Sequence, residues 1–276
     1  MLANRRKSTM AHSDVLVILP TLGDRPVTLR QTLESVAEQR KQVDLTLILV
    51  APESAIEARA VGLEFGAVLV DDPRAGISEA INRGIAARTT ETYYAWIGDD
   101  DLYRSEGLAK LRALLTTHSD AVLSYGGCDY IDAEGRTITT SNAAWLAKFL
   151  LPWGPDLIPH PGAMIKLDAL LAIGGFDRSL KYAMDLDALL KLRSHGRFVW
   201  TRESVSAFRW HSESLTVANR SASSAEAESV KQRHLPGVLR PISPLWHVPI
   251  RWASSFAAAR VSAAARDIAA GENALL

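Results

Sequence analysis

The chain predicts a doubly wound α/β fold, a mostly parallel central sheet covered by helices on both faces. Three observations carry that prediction. Short apolar runs alternate four times with amphipathic helical patterns between residues 14 and 103. The runs are continuous rather than alternating, as strands buried on both faces require. Each run ends in a polar or acidic loop, and sheets of this kind bind ligands outside the carboxyl ends of their strands.

Residues 15–19 form the first buried strand, closed by Pro20. The helix expected over 27–40 places Leu29, Leu33, Val36 and Ala37 on one face. A second strand follows at 45–50, a helix at 53–65 and a third strand at 67–70. The helix expected at 77–88 turns Ile77, Ala80, Ile81, Gly84 and Ile85 inward. The fourth strand, 93–97, runs into Asp99-Asp100-Asp101. Beyond Gly107 the pattern loosens. Leu108, Leu111, Leu114 and Leu115 mark a helix, residues 121–125 a strand and Glu134-Gly135 a turn. A stretch rich in Pro and Gly follows, suited to the acceptor side of a cleft. Residues 221–228 are low in complexity and read as a mobile loop or a helix start.

Bulk properties narrow the classes. With 276 residues, 47% hydrophobic and 22% charged, the chain can bury a substantial core. Zero formal net charge gives no general electrostatic basis for binding nucleic acid. The single cysteine, Cys128, excludes an internal disulfide, fits a reducing cytoplasmic setting and reads as a core residue. No apolar run reaches about 18 residues, the length needed to span a bilayer. Residues 1–13 are basic and polar, lack an apolar segment after Arg5-Arg6-Lys7, and are expected to form a flexible leader.

The aspartate triplet is the strongest chemical signal. Adjacent carboxylates repel unless a cation neutralises them, and hard oxygen donors suit Mg²⁺ or Mn²⁺ carrying a substrate's phosphates. The competing reading is an Asp-rich turn that caps a helix starting near Ser105.

The order of several short motifs resembles glycosyltransferase family 2. They are Leu19-Pro20-Thr21, Leu33-Glu34-Ser35-Val36, the run from Gly76 to Gly84, and Trp96-Ile97-Gly98-Asp99-Asp100-Asp101. His160-Pro161-Gly162, Gly174-Gly175-Phe176-Asp177, Ala183-Met184-Asp185-Leu186-Asp187 and Phe208-Arg209-Trp210-His211 follow. The resemblance covers roughly residues 14–215. It implies a GT-A fold of Rossmann-like character with a smaller acceptor-side region. It also implies an inverting enzyme that moves a sugar from a nucleotide-diphospho-sugar to a glycan or lipid-linked acceptor in cell-envelope polysaccharide synthesis. The implied divisions are a nucleotide-binding half (14–103), an acceptor-binding half (104–215) and a helical C-terminal extension (216–276).

Residue roles follow from the same resemblance. Asp99 and Asp101 bracket the metal position, Asp100 could fill either slot, and His211 matches a position that completes the metal shell or touches the diphosphate. Asp185 matches the catalytic base, with Asp187 as its alternate; either could instead serve the helix start. The donor is expected across Pro20, Thr21, Glu53, Asp72, Asp99 and Asp100, with Asp71 beside them. Relatives carry an Asp-Asp-Gly-Ser type turn after strand two. Here the turn is Ala51-Pro52-Glu53-Ser54, which leaves the base open. His160 reads as acceptor lining or as a turn residue, and Asn82 as a loop-bonding residue.

The tail from 241 interleaves Trp246, Trp252 and Phe256 with His247 and Arg251. It suits peripheral contact with the inner face of the cell membrane, a partner subunit in a homodimer, or its own domain. Two other functions share parts of the pattern: a sugar-nucleotide nucleotidyltransferase, and a non-catalytic nucleotide- or glycan-binding module.

Overall fold

The computed structural model describes residues 13–141, 144–210, 219–243, 245, 259–261 and 263–264. Residues 1–12 of the expected leader, His211 and the tail aromatics Trp246, Trp252 and Phe256 lie outside the described residues.

Among these residues nine strands form one sheet. The first half supplies β1 (Val15–Pro20), β2 (Leu45–Ala51), β3 (Val68–Asp71) and β4 (Tyr93–Trp96), in spatial order β3-β2-β1-β4 and all parallel. Helices α1 (Pro26–Gln39), α2 (Ile56–Glu64) and α3 (Ile77–Ala86) make the crossovers. β1 leads outward to β2 on one side, while β4 adds on its other side. The loops leaving β1 and β4 therefore diverge, and a crevice opens between them.

The second half extends the sheet. β8 (Ala163–Lys166) pairs antiparallel with β4, then come β6 (Ala121–Ile131), β9 (Arg197–Arg209) and β5 (Leu102–Tyr103), with β7 (Thr137–Ser141) on β6. The segment expected as a strand over 121–125 continues to Ile131. Its parallel register with β9 shifts near Gly127, where residues without side chains let the strands bend past one another. Helices α4 (Gly107–Thr117), α5 (Ala144–Leu150), α6 (Leu167–Ala172), α7 (Met184–Leu192) and α8 (Arg220–His234) and a 3-10 turn (His160–Gly162) complete the description. The low-complexity stretch is thus part of helix α8.

β1 shows why the apolar runs are continuous. Leu16 and Ile18 point into one core with Ile81 and Ile85 of α3, whereas Val15, Val17 and Leu19 point into the other with Leu29, Leu33 and Val36 of α1. Every residue of β1 is buried. Gly84 lets α3 lie close on the strand, since a Cβ there would meet Ile18 at 2.9 Å. Truncating Ile18 to Ala would cost about 2–5 kcal/mol.

Candidate active site

The crevice between β1 and β4 holds the aspartate triplet. Thr21, just past the end of β1, is fixed by its amide to Val50 O at 2.9 Å, and its hydroxyl donates to Asp99 Oδ2 at 2.6 Å. Arg25 occupies the N-cap position of α1, held there by Pro26 in the first turn. Its Nη1 reaches Asp100 Oδ2 at 2.6 Å and Asp99 Oδ1 at 3.4 Å. Burial raises the Asp99 carboxyl to about 6, and the charge of Asp100 adds to the rise while Thr21 and Arg25 oppose it. Gly98 makes room for the cluster, because a Cβ there would stand 3.1 Å from Asp100 Oδ1 and 3.2 Å from Asp101 Oδ2.

Asp101 behaves differently from its neighbours. It is 2% exposed, and its Oδ1 accepts the Arg209 amide at 3.0 Å. Its carbonyl accepts the Thr32 hydroxyl at 2.8 Å. Burial first, then the charge of Asp100, pushes its carboxyl well above the usual range. The guanidinium of Arg209, itself buried, donates to Asp100 O, Asp132 O, Ala133 O and Gln31 Oε1. Asp101 therefore joins β4 to β9, while Asp99 and Asp100 carry the paired charge beside Arg25.

The helix-capping reading of the triplet does not hold. β5 separates the aspartates from α4, which begins at Gly107, and the Leu108 amide donates to the buried Gln39 Oε1 at 3.1 Å. The acids thus have no structural task at that helix. Among the described residues no group of three or more His, Cys, Asp or Glu side chains is arranged to hold a metal ion. Two adjacent carboxylates still fit a divalent ion that keeps a substrate's phosphates as further ligands, since Mg²⁺ is commonly held by one or two carboxylates. Burial is the main cause of the raised proton affinity of Asp99, with the charge of Asp100 a smaller one, and a cation there would favour the ionised form.

Beside this crevice, past the ends of β2 and β3, lies an open depression of about 520 Å³ lined by Glu53, Ser54, Asp71, Asp72, Pro73 and Arg83. Glu53 and Asp72 thus share one cavity. Asp71 is paired with Arg59 at 2.7 Å, and Asp72 Oδ1 accepts the Arg74 amide at 2.8 Å.

Asp185 lies in the first turn of α7, where its Oδ1 accepts the Leu186 amide at 2.8 Å. Its Oδ2 is 4.0 Å from His160 Nδ1. His160 stacks on Trp96 with ring centroids 4.3 Å apart, and its Nε2 is 3.3 Å from the Tyr94 hydroxyl. Trp96 and Tyr94 belong to β4, so this aromatic contact links the strand bearing the triplet to Asp185. Burial lowers His160 to about 3, which leaves a neutral imidazole, so the 4.0 Å approach is not an ion pair. Asp185 is held above the usual carboxylate range by burial and, more weakly, by the charge of Glu226. About a third of its side chain meets solvent, at 31%, which screens the effect.

Asp156 faces the same place. Burial and the charge of Asp185 raise it to about 7, although more than a third of its surface is open and screening trims that value. Asp187, by contrast, is 3% exposed and paired with Lys191 at 2.7 Å and His234 at 2.8 Å. Asn82 bonds both the amide and the carbonyl of Phe176, at 3.0 and 2.7 Å, and so ties α3 to the Gly174-Gly175 turn. Burial pushes the Cys128 thiol up to about 12, which fits a core residue and no nucleophile.

Sequence reasoning missed Arg25, Asp156 and Glu226 and gave no role to the Arg209 side chain. Arg25 could have been read from its place between a strand end and a helix-opening proline. No local signal marks Glu226.

The sheet order and its acid-lined crevice place the protein in the GT-A class of α/β folds. The sequence model "Glycosyl transferase family 2" matches residues 16–169, more than half of the chain, and the protein belongs to that family. No curated protein matches the chain. Among solved structures, the mannosyltransferase PcManGT from Pyrobaculum calidifontis, in complex with GDP-Man and Mn²⁺, is similar at a TM-score of 0.62. Its identity is 18%, over 96% of this chain and 81% of that one. S. aureus TarS 1-349 is similar at a TM-score of 0.58 and 14% identity, over 80% of this chain and 63% of that one. Its complex with UDP-GlcNAc gives 0.60 and 13%, over 80% and 66%. The present chain thus spans less than two thirds of the TarS chain, and at these identities the likeness concerns the fold. Among the described residues no helix is long and apolar enough to cross a membrane.

Proposed function

We propose that the protein is a metal-dependent, inverting glycosyltransferase. It moves a hexose-type unit from a nucleotide-diphospho-sugar to a hydroxyl of a glycan or lipid-linked acceptor in cell-envelope polysaccharide assembly, at the cytoplasmic face. The observation that carries the reading is the pairing of Asp99 and Asp100 at the crevice between β1 and β4, with no capping task to explain them. Family membership and the nucleotide-sugars bound by PcManGT and TarS support the donor class.

Thr21 and Arg25 orient Asp99 and Asp100 toward the diphosphate. A bound Mn²⁺ or Mg²⁺ would supply charge stabilisation on the departing nucleoside diphosphate. Glu53 and Asp72 line the place for the base. Asp185 takes the proton from the acceptor hydroxyl as its oxygen attacks the anomeric carbon opposite the leaving group, which inverts the configuration. A carboxyl of raised proton affinity suits that task better than an ordinary one.

Calorimetry with UDP and GDP, each with Mn²⁺ and with EDTA, tests the donor side. Metal-dependent binding of one nucleotide that is lost in Asp100→Ala supports the reading. Binding indifferent to both metal and Asp100 overturns it. A product that retains the donor's anomeric configuration would remove the role given to Asp185.

A further inference from the structure

Glu226 lies on α8, well beyond the residues matched to the family. Its carboxylate accepts three consecutive backbone amides: Lys181 N at 3.0 Å, Tyr182 N at 2.5 Å and Ala183 N at 2.7 Å. These amides form the turn that enters α7. The N-cap of that helix is Ala183, which has no side-chain acceptor of its own, and Glu226 takes the Ala183 amide together with the two amides that lead into it. A carboxylate is the acceptor that suits the positive end of a helix.

The rest of α8 is fastened to the same region. Val230 is fully buried in the core with Leu186, Leu189 and Leu190. His234 reaches Asp187 at 2.8 Å, and Lys231 donates to Gly154 O in the loop that carries Asp156. The helix therefore reaches α7 from its entry turn at Glu226 to Asp187.

We propose that Glu226 is a positioning residue for Asp185: by gathering the 181–183 amides it fixes the turn from which the Asp185 carboxylate is presented to the acceptor hydroxyl. The inference rests on the reading of Asp185 as the base. It adds that the C-terminal extension completes the acceptor half. The charge of Glu226 also bears on Asp185. The groups facing Asp185 are Tyr94 from β4, His160 from the 3-10 turn, Asp156 from the loop after α5, Asp187 on its own helix and Glu226 from α8. Tyr94 is un-ionised, His160 is neutral, Asp187 is neutralised by Lys191 and Asp156 holds its own proton up to about 7, which leaves Glu226 as the charge that favours a proton on Asp185.

The test uses the full chain and the variants Glu226→Ala, Glu226→Gln and Asp185→Asn. Amide hydrogen exchange needs no substrate. In Glu226→Ala the amides of 181–183 should exchange about tenfold faster or more, with protection elsewhere in the sheet unchanged. Turnover is read as nucleoside diphosphate released from UDP-GlcNAc or GDP-Man with water as acceptor. Glu226→Gln keeps an acceptor but loses the charge. It should lower kcat with little change in KM, and move the acid limb of the rate profile to lower pH, because Asp185 then loses its proton more readily. Wild-type protection at 181–183 in Glu226→Ala, or an unmoved acid limb in Glu226→Gln, overturns the proposal. Asp185→Asn separates the two readings. If it turns over like wild type, Asp185 is not the base, and the exchange data still judge the hold of Glu226 on the turn. If it is inactive while Glu226→Gln matches wild type, only the positioning role fails.

Discussion

The two carboxylate sites of this protein are built in different ways. Asp99 and Asp100 stand at the end of a buried parallel strand, and the groups that fix them, Thr21 and Arg25, follow directly after the neighbouring strand. The surroundings of Asp185 come from pieces far apart in the chain: its own helix bonds its carboxylate, His160 from the turn before β8 approaches it to 4.0 Å, and Glu226 from α8 bonds the amides just before it. A site made by strand ends inherits its geometry from the sheet. A site made by converging loops needs each contributor in place, and a change in any one of them can shift it.

That contrast can be broken or sharpened by mutation, beginning with the largest effect. Asp185→Asn should reduce transfer about a thousandfold while leaving nucleotide affinity within error, as measured by product release and calorimetry. Unchanged transfer would mean that the acceptor half holds another base. Arg209→Leu should destabilise the fold by about 3 kcal/mol in urea unfolding, since it strands the carbonyls of Asp100, Asp132 and Ala133 and removes a positive charge from beside Asp101, whose bond to the residue-209 amide is kept. Because Arg209 bridges β4 and β9, the loss should appear in both halves of the molecule.

His160→Phe tests the aromatic link. His160 titrates near 3 when folded and near 6.5 when unfolded, so the unfolded chain binds the extra proton. Wild-type stability should therefore fall relative to the variant as pH drops below about 6.5, by about 2–3 kcal/mol at pH 4.5. Equal pH dependence of the two proteins would mean that the imidazole is hydrated. On the donor side, Asp100→Ala should cost about 10- to 100-fold in metal-dependent nucleotide affinity. In wild type that affinity should weaken below pH 6, where Asp99 takes up a proton. The smallest effect is expected for Gly175→Ala. Gly175 has φ +73°, and a Cβ would lie 2.7 Å from Asn82 Oδ1, so the melting temperature should drop by an amount equivalent to about 1–2 kcal/mol.

The difference between the halves also explains what could be read from the chain. The β1–β4 core was legible because buried parallel strands leave continuous apolar runs and because crossover helices carry a 3.6-residue period. The triplet was legible for the same reason, being attached to such a strand. The division of labour within it was not: Asp101 turns inward toward the Arg209 amide, a contact between residues that no local pattern relates. Asp185 could be found by its resemblance to family members, but Glu226 sits in a low-complexity run of Ser, Ala and Glu. Its importance lies wholly in the backbone it meets. Helix ends are completed by whatever acceptor the fold brings to them, and here that acceptor comes from another helix.

Arg25 gives the donor crevice one more property. Its guanidinium already stands 2.6 Å from Asp100, so a cation arriving at that carboxylate enters by exchange rather than by simple addition. The net gain in charge on replacing one arginine contact with a divalent ion is a single unit. The displaced guanidinium stays tethered at the mouth of α1, where a planar fork of donors is well shaped for phosphate oxygens. On the proposed metal-dependent reading, loading of the crevice is a local competition between a fixed cation and a mobile one.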